Sequence, residues 1–234
     1  MTIRKEVIGD ATLYCGSMED VLPTLGRFDA CVTDPPYGIG EAARKNNSRG
    51  PLGTKRDYGC DDWDDQTASA DAMGIARAHS RWQIIFGGNY YDLPPAPCWL
   101  VWDKLNGATD FADCELAWTN LPKAVRRLQW MWNGMCRKGN EPRGFHPTQK
   151  PVGVMEWCLS HLPADVVTVV DPFAGSGTTG VACVKRGLTF TGIEIEPRYF
   201  DIACRRIEEA YRQPRLAIDV PQKPVQADML SGDA

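Results

Sequence analysis

Five apolar or β-branched residues, Val166-Val167-Thr168-Val169-Val170, run without a break into Asp171-Pro172-Phe173-Ala174-Gly175-Ser176-Gly177-Thr178-Thr179-Gly180. A strand that is apolar on both faces has to be covered on both faces, which is the situation of a central strand in a parallel sheet flanked by helices. The glycines supply the backbone conformations for a sharp exit, and residues 178–186 then carry a helical pattern. Further strand-like runs lie at residues 12–15, 28–33, 82–86, 98–102, 114–118 and 188–195. Helical patterns at 19–25, 67–79, 152–162 and 198–212 fall between several of them. Strands alternating with helices predict an α/β fold, a mostly parallel sheet with helices on both faces. A chain of 234 residues fits one domain with a sizeable core.

Two segments interrupt the alternation, residues 40–63 and 120–148. Both are Gly/Arg/Asn-rich and weakly periodic, and loops that long inside a compact domain are usually functional or unstructured. Both are also basic. Residues 44–56 hold five Lys or Arg and no acid, and residues 123–150 hold seven against the single Glu141. The chain as a whole is acidic, with a net charge of −4, so any phosphate contact belongs to one face only. From residue 213 onward Pro214, Pro221 and Pro224 and small polar residues predict a flexible tail. Nothing approaches the roughly 18 uninterrupted apolar residues of a membrane span, and no apolar run follows the basic start, so a cytoplasmic protein is expected. The nine cysteines are scattered singly with no Cys-x-x-Cys pair, which argues against disulfides and against a metal site.

Three strings carry chemistry. Asp34-Pro35-Pro36-Tyr37 follows the apolar run 28–33 at the carboxyl end of a strand, where open α/β sheets place their sites. The prolines stiffen the turn and donate no backbone hydrogen bond, so Asp34 and a proline carbonyl form an acceptor pair suited to an NH2 group. Tyr37 offers a flat ring beside it, an arrangement able to hold an extruded base by its amino edge. The second string is the glycine turn after Asp171, with Glu194 at the end of the next strand to accept ribose hydroxyls. Gly175 to Gly180 satisfies the G-x-G-x-x-G pattern of dinucleotide sites, so an NAD-dependent oxidoreductase is the rival reading. Against it, Asp171 would repel a pyrophosphate but suit a cationic ligand, and only about 55 residues follow, too few for a second mononucleotide half. The third string, His146-Pro147-Thr148-Gln149-Lys150-Pro151, precedes a predicted helix and admits a simple capping role.

Together these strings resemble the DNA amino-methyltransferases, which modify adenine N6 or cytosine N4. Asp34-Pro35-Pro36-Tyr37 is similar to the family's catalytic motif, Phe173-Ala174-Gly175-Ser176-Gly177 to its cofactor motif, and the His146 to Pro151 string to the motif that closes over the cofactor. The order, catalytic motif first, resembles that of the permuted β group. Residues 84–90, Trp102-Asp103-Lys104 with the three residues before it, and 192–197 extend the likeness over about residues 10–212.

The resemblance implies a seven-stranded Rossmann-like methyltransferase sheet with one antiparallel strand at residues 114–118. It also implies methyl transfer from S-adenosyl-L-methionine to the exocyclic N6 of adenine in double-stranded DNA after base flipping, with cytosine N4 as the alternative. Asp34, Pro35, Pro36 and Tyr37 are then catalytic, with Trp102 as active-site wall. Lys150, Asp171, Phe173, Ala174, Gly175, Ser176, Gly177, Thr178 and Glu194 hold the cofactor. Where the family usually has Gly-Asp after its first strand this chain has Gly16-Ser17, so Ser17 takes the adenine edge. One methyltransferase domain spans 1–212, with a catalytic half at 10–119, a target-recognition insert at 120–145 and a cofactor half at 146–212. Arg126, Arg127, Trp130, Arg137, Lys138 and Arg143 are the candidate DNA contacts, although the insert's tryptophans would serve equally to pin it to the core. A homodimer and a cognate restriction nuclease are compatible with the resemblance and are marked by no residue. Methylation of RNA or of a protein amide shares the chemistry, and a non-catalytic binding module shares the cofactor turn.

Overall fold

The computed structural model describes residues 3–38, 67–107, 112–132 and 149–213. Arg137, Lys138, Arg143, His146, Pro147 and Thr148, the basic segment 40–63 and the tail from 214 onward lie outside the described residues. Within them the chain runs β1 (Arg4–Ile8), β2 (Ala11–Cys15), α1 (Met18–Val21), β3 (Phe28–Thr33), α2 (Ala70–Ala78), β4 (Ser80–Phe86), β5 (Cys98–Asp103), β6 (Cys114–Thr119) and β7 (Arg126–Gln129). It continues through α3 (Val152–Leu159), β8 (Thr168–Asp171), α4 (Thr178–Arg186), β9 (Thr189–Glu194) and α5 (Pro197–Arg212).

All nine strands form one sheet in the order β1-β2-β9-β8-β3-β4-β6-β5-β7. β2, β9, β8, β3 and β4 are mutually parallel. β6, the strand expected to be antiparallel, runs against both β4 and β5. The sheet exceeds the expected seven strands by one at each edge. β1 pairs antiparallel with β2, and β7 pairs parallel with β5. Both are short and mostly exposed, so neither carries the apolar alternation that marks a strand in sequence. β7 lies inside the stretch read as a target-recognition insert, whose first part is therefore a sheet edge.

Burial follows the pleat. On β8, Val169 and Val170 are both fully buried but join different clusters. Val169 belongs to the cluster that includes Met155 of α3, Ala182 of α4 and Phe200 of α5, whereas Val170 belongs to the one that includes Val21 of α1 and Ala76 of α2. Ala30 and Cys31 of β3 divide in the same way. Each fully buried large aliphatic or aromatic side chain contributes about 1.5–3 kcal/mol of transfer free energy. α5 buries a stripe of Tyr199, Phe200, Ile202, Ala203, Arg206 and Ile207, which is helical spacing with one charged member.

Sequence neighbours β3 and β4 lie side by side, while β8 lies on the other side of β3 and leads away to β9. The carboxyl ends of β3 and β8 therefore flank a topological switch point, the crevice where such sheets bind ligands. Their alignment is fixed at the opposite end by Asp29. Its Oδ2 accepts from the Val167 N–H at 2.9 Å, the Thr168 N–H at 2.8 Å and the Thr168 hydroxyl at 2.9 Å. The backbone N–H of Thr168, followed by that of Val167, holds this carboxyl below its ordinary 3.8. A depressed carboxyl contributes stability above its unfolded pKa and loses it as pH falls through the folded value. Asp29→Asn should therefore cost roughly 1–3 kcal/mol at neutral pH. In urea titrations the deficit should shrink as pH is lowered below 3.8; a deficit independent of pH would contradict the clamp.

Candidate active site

Asp34 leaves the end of β3 with both carboxylate oxygens occupied. Oδ1 accepts from the Tyr37 hydroxyl in a short hydrogen bond, and Oδ2 lies 2.6 Å from the Lys150 ammonium. The stiff Pro35-Pro36 link is what folds Tyr37 back onto Asp34 three residues away. The Tyr37 ring stacks on Tyr90 with centroids 5.0 Å apart and an interplanar angle of 15°. Tyr37 also explains the glycine at the end of β4: a Cβ on Gly87 would stand 2.1 Å from its Cε1. The Pro36 carbonyl accepts from the Tyr91 hydroxyl and, at 3.3 Å, from the Ala68 N–H.

Lys150, on the approach to α3, is the hub of a charge cluster. Besides Asp34 it pairs with Glu115 Oε2 of β6 at 2.9 Å, and Glu115 Oε1 in turn meets Lys104 Nζ at 2.6 Å. The Lys150 side chain is only 7% exposed. Burial pushes the Asp34 carboxyl above the ordinary range, with Lys150 opposing and Glu115 assisting. Burial also acts to raise Glu115, but Lys150 and Lys104 prevail and bring it down to about 2. Against burial, Asp34 and Glu115 push Lys150 up. Burial, followed by the Asp34 charge, raises the Tyr37 hydroxyl well above 10, which keeps it a donor.

Beside this cluster opens a cavity of about 290 Å³, near the lower end of the roughly 300–1,000 Å³ common for ligand clefts. Asp34 and Lys150 line one part of it, and Ser17, Phe173, Gly175 and Glu194 another. Glu194 Oε2 accepts from the Gly175 N–H at 2.7 Å and Oε1 from the Glu196 N–H at 2.8 Å. Each oxygen retains a lone pair that a ligand hydroxyl can use. Burial raises this carboxyl to about 7 despite those two amides. Ser17 caps α1, accepting from the Glu19 N–H at 3.2 Å.

Several side chains assigned to the ligand are spent on the turn itself. The Asp171 carboxylate accepts from Thr33 at 2.7 Å, Thr179 at 2.6 Å and the Phe173 N–H at 3.1 Å, and burial raises it to about 6. Ser176 and Thr178 both accept from buried Arg206, at 2.8 Å and 3.1 Å. These three line the cavity while their polar atoms brace its wall. Lys150, also assigned to the cofactor, lines the cavity and places its ammonium on Asp34. Trp102, read as active-site wall, is 2% exposed and joins the core. Trp130, a candidate DNA contact, packs partly buried over Gly153 of α3. Arg126 and Arg127 are exposed on β7. The residues missed in sequence are Glu115, Tyr90, Tyr91 and Arg206. Of these Tyr90 stands at the end of the 84–90 string that extends the likeness, and Arg206 is a charge set in the apolar stripe of α5.

Residues 103–205 match the family model for DNA methylases, a span that includes Lys104, Glu115, Lys150 and the cofactor turn but not Asp34. Over 84 residues the chain is 37% identical to the type II methyltransferase M2.DpnII of Streptococcus pneumoniae, covering 36% of this chain and 31% of that one. Over 67 residues it is 43% identical to the DNA adenine methyltransferase YhdJ of Escherichia coli (strain K12), covering 28% of this chain and 22% of that one. The chain thus spans a third or less of the length of these curated relatives. Among solved structures, the M1.HpyAVI–SAM complex is similar with a TM-score of 0.52 and 24% identity, over 84% of this chain and 99% of that one. The cytosine-N4-specific PvuII DNA methyltransferase is similar with a TM-score of 0.51 and 14% identity, over 88% and 93%. These likenesses show the methyltransferase fold.

The two turn glycines separate support from contact. Gly177 has φ +78°, and a Cβ there would meet the Ala203 backbone at 2.9 Å. Gly175 has φ +52° and faces open space. Gly177→Ala should cost about 2–4 kcal/mol in denaturant unfolding, from strain plus overlap. Gly175→Ala should cost only about 1–2 kcal/mol, its main effect being on whatever occupies the cavity. Equal losses would refute the distinction.

Proposed function

We propose that this chain, whose residues 103–205 match the DNA methylase family model, is a DNA amino-methyltransferase that transfers a methyl group from S-adenosyl-L-methionine to the exocyclic N6 of adenine in DNA. The observation that carries the reading is that the Asp34 carboxylate opens on the same cavity as the Gly175 turn and Glu194. A dinucleotide oxidoreductase would leave the Asp34, Tyr37 and Lys150 cluster without a task.

The residues fit the cofactor. Open space at Gly175 admits a ligand against the backbone, Glu194 keeps lone pairs for ribose hydroxyls, and the Asp171 and Glu194 carboxyls both line the pocket. Phe173, Ala174 and Ser17 would complete its walls. When bound, S-adenosylmethionine supplies an electrophilic methyl carried on a sulfonium sulfur. Asp34 would accept one N–H of the target amine. The Pro36 carbonyl is already engaged, so Pro35 would offer the second acceptor. Tyr37, fixed by Asp34 and Tyr90, would hold the ring of the flipped base, and alignment with the methyl would contribute most of the rate. Arg126 and Arg127, with Arg137, Lys138 and Arg143, would meet duplex phosphates.

Adenine is favoured because YhdJ is a DNA adenine methyltransferase. Cytosine N4 is the second reading, since its amine presents the same donor edge to Asp34. Incubation with labelled S-adenosylmethionine and unmethylated genomic DNA, followed by digestion to nucleosides, should yield labelled N6-methyladenine. N4-methylcytosine would select the second reading, and DNA without label would overturn both.

Asp34→Ala should lower transfer at least about a hundredfold while leaving cofactor affinity within about threefold. Comparable losses in both would move Asp34 out of the chemistry. A carboxyl raised to about 7 accepts hydroxyls best when ionised, so cofactor affinity measured by calorimetry should rise between pH 6 and 8. In Glu194→Gln that rise should vanish; its persistence would assign it to another group.

A further inference from the structure

The carboxylate that would receive the target amine is occupied at both oxygens, by Tyr37 on one and Lys150 on the other. Each Asp34 oxygen keeps one further lone pair, but an amine that docks at Oδ2 has to share that oxygen with the Lys150 ammonium and weakens the lysine's hold on it. A displaced lysine that is 7% exposed would be left as a buried charge without a counterion, which strongly opposes displacement.

Glu115 removes that obstacle. Its Oε2 already lies 2.9 Å from Lys150 Nζ, on the side away from Asp34 in the chain of charges. Its other oxygen is tied to Lys104 at 2.6 Å, and Lys104 rests over the Trp102 ring at 5.1 Å. The four groups alternate in sign, Asp34, Lys150, Glu115, Lys104, and sum to zero. This arrangement also gives a task to Lys104 of the Trp102-Asp103-Lys104 string.

We propose that Lys150 holds Oδ2 of Asp34 in the free protein and is handed over to Glu115 when the target amine arrives. Glu115, anchored by Lys104, is a positioning residue that keeps Lys150 paired throughout, so Asp34 can exchange one N–H donor for another without stranding a charge. The inference rests on the methyl-transfer reading above, but the pairing it requires is testable without activity.

In protein labelled with 15N-lysine, the Lys150 ammonium protons should stay protected from exchange in Asp34→Asn, because Glu115 at 2.9 Å remains the lysine's charged partner beside the more distant Tyr37 hydroxyl at 3.4 Å. They should be lost only when Glu115→Gln is added. Release in Asp34→Asn alone would overturn the proposal. In kinetics on genomic DNA, Glu115→Gln should lower kcat about tenfold or more with S-adenosylmethionine affinity within about twofold, and should have little further effect in a Lys150→Met background. Equal losses in both backgrounds, or a loss confined to cofactor affinity, would make Glu115 merely structural and sink the handover. Lys104→Met, which keeps the Glu115 charge but frees its anchor, should lower kcat in the same direction by a smaller factor; no change would remove Lys104 from the device. A wild-type chain that methylates no DNA would defeat the functional reading alone, and the lysine measurement would still decide the pairing.

Discussion

The site depends on a short seam between β3 and β8. Only Ala30 with Val169 and Cys31 with Val170 pair along it, yet it brings Asp34 beside Asp171 from distant parts of the chain. Polar links reinforce both ends. Asp29 gathers the start of β8, and Thr33 donates to Asp171 at 2.7 Å where the strands finish. Because β3 and β8 are both parallel and central, their carboxyl ends open on the same side, and the cavity follows from the pairing.

Around that cavity the protein sets carboxylates in opposed conditions. Glu115 lies between two ammonium groups and is held at about 2, whereas Glu194 has two backbone amides and the like charges of Asp171 and Glu196 beside it and rises to about 7. Burial acts in the same direction on both, so the neighbouring charges make the difference. One carboxylate is a permanent anion within an ion-pair chain. The other sits at the edge of ionisation, where a ligand can tip it.

Most strands and helices were legible because their residues obey a period. Phe28–Thr33 and residues 178–186 occupy the bounds that their patterns indicate. β1 and β7 were not legible, since an edge strand with exposed faces has no period to betray it. The site divides in the same way. Asp34, Tyr37 and the glycine turn stand in strings whose pattern is visible in the sequence itself. Glu115 stands in Cys114-Glu115-Leu116-Ala117-Trp118, an ordinary alternating strand, and acquires meaning only because β6 is inserted between β4 and β5. Lys150 was found, but which partner its ammonium would choose depended on Glu115. The doubled duty of Asp171, Ser176 and Thr178 was equally hidden, because Thr33 and Arg206 approach them from elsewhere in the fold.

The β3–β8 seam also bears on how the protein comes into being. The strand that gives Asp34 its neighbour is made more than a hundred residues after Asp34 to Tyr37. Contacts so distant in sequence close late and slow folding. The nascent chain therefore holds a complete acceptor string with no cavity beside it. The cavity closes only once β8, β9 and Arg206 of α5 have been made and can lock the turn together.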